Sequence, residues 1–197
     1  TFLASILYLK KVVIQWKALL LMMILAIPSA YAGSSLLNYV SNDFMKPFLL
    51  VVLTLLAIYS FVKKDFGLKS DKSHSPTQQL LYSIIISITI GFYDGFIGPG
   101  TGIFFVMAFV SLLGYDFLQA SANAKMVNLA TNVGAISLFF IKGKIIWHIA
   151  LPMAICNGLG GFLGAKMAIK RGNNFVRIFF QILMVLMLLR FAWDVLT

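Results

Sequence analysis

Apolar runs of membrane-spanning length recur along this chain, and nothing else constrains its fold as tightly. They cover residues 18–40, 47–62, 80–113, 117–141, 146–168 and 174–194, after a first short helical tail at 1–9. About 20 apolar residues carry a helix across the hydrocarbon core of a bilayer. Only 11% of the residues are charged, against 60% hydrophobic, so too little polar surface exists to clothe a water-soluble core of this size. The pattern predicts an all-α fold, a polytopic transmembrane helix bundle whose first partner is the lipid bilayer. The net charge of +10 falls largely in short connections such as Lys10-Lys11, Lys63-Lys64 and Lys170-Arg171. That placement matches anionic headgroups and the positive-inside bias rather than nucleic acid. A single cysteine, Cys156, excludes a disulfide framework and a cysteine-cluster metal site.

Residues 10–32 imitate a signal peptide, with a basic start, an apolar run and Ala30-Tyr31-Ala32. The same stretch recurs later in the chain, which argues for a structural element. An ungapped shift of 131 residues pairs Lys11 with Lys142, Trp16 with Trp147, Gly33 with Gly164, Asn42 with Asn173 and Phe44 with Phe175. Roughly a fifth of positions 4–61 are identical in this frame, and apolar bias does not easily supply the Trp, Lys, Asn and Gly matches. Two internal transmembrane repeats are therefore expected: residues 1–62 as the remainder of the first, a polar loop at 63–79, and residues 80–197 as the second. The offset implies that about 50 residues or more precede Thr1 in the complete first repeat. Whether the repeats are inverted or parallel stays open. Gly160 with Gly164, Gly161 with Ala165, Ser29 with Gly33 and Ala30 with Ser34 are small residues four apart, expected to pack helix against helix.

Two stretches carry candidate chemistry. The first is Gly91-Phe-Tyr-Asp-Gly-Phe-Ile-Gly-Pro-Gly-Thr-Gly102, where glycines and Pro99 predict a broken helix at membrane depth. Unpaired backbone there must face protein or a wet cavity. A new half-helix is expected after the break, with Thr101 as its N-cap and an anion held at its positive end by Gly98, Pro99, Gly100, Thr101 and Gly102. Asp94 precedes the break and is a candidate for an ion pair with Lys125, for a bound cation or for proton coupling. The second stretch is the helix 117–141. Ser121, Lys125, Asn128, Thr131 and Asn132 recur at helical spacing and share one face. An ammonium among amide and hydroxyl donors suits an oxyanion, so Lys125, Asn128, Thr131 and Asn132 are candidate substrate ligands. Asn123 lies off this face. His74 and His148 lack metal-ligand spacing and read as surface residues. Trp16, Trp147 and Trp193 fit interfacial anchors. Asn157 lies inside a span, where it packs or lines a cavity.

GFYDGFIGPGTGIFF and SANAKMVNLATNVGAISLFFIKGKIIW resemble the second-repeat signature and following helix of the sulfite exporter TauE/SafE family of membrane transporters. The resemblance is strongest from Gly91 to Arg171. It implies a multi-pass protein of the bacterial cell (inner) membrane that transports sulfite, sulfonates or related organosulfur anions. A first-repeat glycine-rich signature is absent. No GxxxxGK[ST] motif for ATP use occurs, which favours a secondary transporter. HExxH and Gly-x-Gly-Asp are missing too, so no enzyme, metal or cofactor is expected. A passive anion pore and a membrane assembly protein are the alternatives. Substrate, coupling ion and oligomeric state are not fixed by these residues.

Overall fold

The structure, a computed structural model, describes residues 1–12, 14–36, 50, 51, 54, 55, 58, 75–98 and 100–196. Among the described residues every regular element is a helix: α1 (Phe2–Leu9), α2 (Trp16–Leu36), α3 (Pro76–Phe96), α4 (Thr101–Leu113), α5 (Phe117–Ile141) and α6 (Trp147–Leu196). Four of these stretches are long and apolar enough to cross a membrane. Most of the expected span 47–62, the polar loop as far as His74, and Pro99 lie outside the described residues.

Local chemistry sets the helix ends. α3 starts at Pro76, inside the stretch expected to be polar loop, because Ser75 builds a capping box. The Gln78 N–H donates to Ser75 Oγ, the Ser75 N–H donates to Gln78 Oε1, and Pro76 supplies a preset first turn. α4 stops at Gly114, whose φ of 66° places it in the left-handed region. α5 is capped twice: Asp116 Oδ1 accepts from the Gln119 N–H, and Asn173 Oδ1 from the Leu118 N–H, both at 2.8 Å. Asn173 reaches α5 because α6 is interrupted next to it, at Gly172 with φ 72° and ψ −166°. α6 is thus two helical segments meeting at a kink, between the spans expected at 146–168 and 174–194.

The bundle wears its apolar residues outside. Ile24 on α2, Ile85 on α3, Ile136 on α5 and Ile155 on α6 are all exposed, as are Trp16, Trp147 and Trp193. Inside, polar Ser34, Ser83, Ser87, Thr101, Asn123 and Thr131 are buried beside an apolar core that includes Phe105, Phe109 and Phe117. The apolar exterior suits lipid as solvent.

α2, α3 and α5 pack closely through small residues. A Cβ at Gly95 would overlap the Ala30 carbonyl of α2, one at Gly33 the Phe92 carbonyl of α3, and one at Gly134 the Ile27 carbonyl of α2. The Ser34 hydroxyl donates to the Gly95 carbonyl at 2.9 Å, fixing the register of α2 on α3. The small residues expected to pack on α2 therefore do so. Gly160 and Gly164 do not, since a Cβ at either would meet no atom within 4 Å. α5 is the most enclosed span, with Ala120, Ala122, Ala124, Val127 and Ala130 buried.

Candidate functional site

The site is built where α3 gives way to α4 against the middle of α5. Gly91 and Gly95 do not break the helix; they remain inside α3, where they admit the backbone of α2. The chain turns after Phe96, with Gly98 at φ 84° and Gly100 at φ 85°, a conformation costly to any residue with a Cβ. Thr101 is not the N-cap of α4. Gly100 holds that position, and Thr101 is the first helical residue. Its N–H and its hydroxyl both donate to the Gly98 carbonyl, at 3.3 Å and 2.5 Å. The Ile103 N–H is likewise taken by the Gly100 carbonyl at 2.8 Å. The turn thus uses backbone donors that the sequence reading had assigned to an anion.

The polar face of α5 divides its work. Thr131 and Asn128 turn towards α3, where the Thr131 hydroxyl donates to Asp94 Oδ2 in a short contact and the Asn128 amide donates to the same oxygen at 3.2 Å. A carboxylate only accepts, which fixes the amide with Nδ2 towards Asp94. The Thr101 hydroxyl also lies within hydrogen-bonding reach of Asp94. Asn132 Nδ2 reaches Thr1 Oγ1 at 3.4 Å, and the Thr1 hydroxyl donates to Asn128 Oδ1 at 3.5 Å. Asp94 forms no ion pair with Lys125; its donors are the neutral groups of Thr131 and Asn128, with the Thr101 hydroxyl close by.

Lys125 faces elsewhere. Together with Ser121 and Asn128 it lines an open-sided cavity of about 870 Å³ bordered by α1, α4, α5 and α6. Gly100 and Gly102 border the same cavity from the start of α4, and Asn157, Gly160 and Gly164 from α6. The rest of the wall is apolar, with Val106, Phe179 and Leu183 among its residues. A Cβ at Gly102 would meet no protein atom within 4 Å, so the bare backbone opens directly on the cavity. The expected ligands thus separate: Gly100, Gly102, Lys125 and Asn128 border the cavity, while Gly98, Thr101 and Thr131 gather around Asp94. Asn128 belongs to both groups. Asn132 joins Thr1, and Pro99 lies outside the described residues.

The sequence reading missed Gly160 and Gly164 as cavity residues and Asn173 as the cap of α5. Small-residue spacing is the same whether a helix meets a neighbour or a void, and a cap 55 positions away in sequence leaves no local pattern.

A multi-pass helical bundle with apolar exterior, buried polar residues and a lysine-bearing cavity is an architecture suited to a membrane transporter. The family model for the Sulfite exporter TauE/SafE matches residues 1–191, and the chain belongs to that family. It is 30% identical over 191 residues to the Probable membrane transporter protein ORF9 of Sinorhizobium sp, covering 97% of this chain and 72% of that protein. The Probable membrane transporter protein YfcA of Escherichia coli K12 is 27% identical, with 97% and 70% covered. A Probable membrane transporter protein of Haemophilus influenzae is 29% identical, with 97% and 74% covered. No solved structure matches the chain.

Proposed function

We propose that this transporter moves small anions such as sulfite, sulfonates or other organosulfur anions by alternating access, as a secondary transporter of the bacterial inner membrane. One observation carries the reading: the Lys125 side chain lines a large open-sided cavity, and among the described residues no carboxylate pairs with it. A half-buried ammonium without a counter-ion is costly in a bilayer, and a small anion in the cavity offsets that cost. Ser121 and Asn128 add neutral polar groups on the same wall, and the positive end of α4 at Gly100–Gly102 adds a favourable dipole. The apolar remainder of the wall suits the organic part of a sulfonate better than a bare, strongly hydrated ion. The family match supports a sulfur oxyanion as the cargo.

The test is efflux from vesicles carrying the full-length protein, preloaded in turn with sulfite, short alkyl sulfonates and sulfate. Saturable, protein-dependent efflux of at least one sulfur anion is expected, with Lys125→Gln lowering it at least tenfold. Efflux that never saturates would indicate a passive pore, and absence of flux for every anion would point to an assembly role.

A further inference from the structure

The geometry points to a second site beside the anion cavity: a monovalent-cation site on the Asp94 carboxylate, taking a proton or Na⁺, which drives anion movement. This rests on the transport reading above and adds its energy source. Asp94 lies in the last turn of α3, inside a span, where a lone carboxylate is costly. Among the described residues no cationic side chain pairs with it. α4 carries no titratable side chain, α2 brings only Lys17 and Tyr31, and α5 brings Lys125, which lines the cavity instead. On α3 itself, Tyr93 is the titratable residue next to it in sequence.

The oxygens around the carboxylate suit a small cation. The Thr101 and Thr131 hydroxyls both reach Asp94, and both residues are at most 2% exposed. Each hydroxyl has one proton and an alternative acceptor: the Gly98 carbonyl at 2.5 Å for Thr101, the Asn128 carbonyl at 3.0 Å for Thr131. With Asp94 charged and bare, the hydroxyls donate to it. With a positive charge on Asp94, they donate to those carbonyls and turn their lone pairs inward. Both states are therefore fully hydrogen-bonded. The carbonyl end of α3 adds a negative dipole end at the same place, while the positive end of α4 faces the cavity.

Asn128 links the two sites, since its Nδ2 donates to Asp94 and its side chain borders the cavity. Neutralising Asp94 removes a repelling charge next to the anion and frees an amide donor. Cation and anion therefore bind with positive coupling, each raising the affinity of the other.

Full-length protein in detergent, without any anion substrate, tests the cation site by itself. Thermal stability is followed against NaCl, with choline chloride holding ionic strength constant, and against pH in the absence of Na⁺. A protonated-carboxyl infrared band is recorded alongside. A saturable rise in Tm with NaCl that Asp94→Asn abolishes identifies Na⁺. A carboxyl band that grows with acidification and is lost in Asp94→Asn identifies the proton. Thr131→Val, which keeps the side-chain shape, shifts either midpoint about tenfold. Lys125→Gln leaves this cation response intact while lowering sulfur-anion efflux from vesicles, so the failure of one site is distinguishable from that of the other. A wild-type protein that responds to neither Na⁺ nor pH, or an Asp94→Asn protein that responds as the wild type does, overturns the proposal.

Discussion

At the scale of single residues, the molecule separates two charges that the sequence had suggested as a pair. Asp94 takes neutral donors from α5, and Lys125 fronts the cavity. Spacing along α5 placed Lys125, Asn128 and Thr131 on one side of a helix, and that much was legible. It did not say that Thr131 would turn to α3 while Lys125 turned to α6, because one broad helix face meets two neighbours at once. The difference has consequences for affinity. Hydrogen bonds to a charged group contribute about 1.5–3 kcal/mol, so Lys125→Gln is expected to weaken anion binding about tenfold to a hundredfold, measured by titration calorimetry on full-length protein. Thr89, whose hydroxyl donates to the Ile85 carbonyl on the exposed side of α3, serves as the control: Thr89→Val leaves that affinity unchanged.

At the scale of elements, two kinds of glycine do opposite work. Gly33, Gly95 and Gly134 let backbones touch; Gly102, Gly160 and Gly164 leave room. Composition cannot tell them apart, which is why the Gly160–Gly164 pair read as packing and Gly91–Gly95 as part of a break. Gly95→Ala forces α3 away from Ala30, an overpacking expected to cost about 1–3 kcal/mol or more and to lower Tm clearly. Gly102→Ala adds a methyl group to open space and leaves Tm nearly unchanged. Gly164→Leu fills the cavity from α6, so transport falls severalfold while Tm holds. If its flux stays at the wild-type level, the cavity is not the route. The cap across the kink is separately testable: Asn173→Ala removes the acceptor of the Leu118 N–H and costs about 1 kcal/mol, read as a lower Tm.

For the whole molecule, the hydropathy pattern announced the helices and their apolar exterior, since the bilayer imposes both on any sequence that spans it. The cavity was not legible, because it forms where α1 meets the three consecutive helices α4, α5 and α6, and no residue pattern encodes an empty volume. The proposed alternating access rests on that cavity and on Lys125 in its wall, and it makes a kinetic demand that a pore does not. The most direct measurement is counterflow in vesicles containing the full-length protein, with unlabelled sulfonate inside and labelled sulfonate outside. The expected result is transient accumulation of label above equilibrium, saturable in external anion and abolished by Lys125→Gln. Label that only equilibrates, or accumulation unchanged in Lys125→Gln, would contradict an anion site at this lysine.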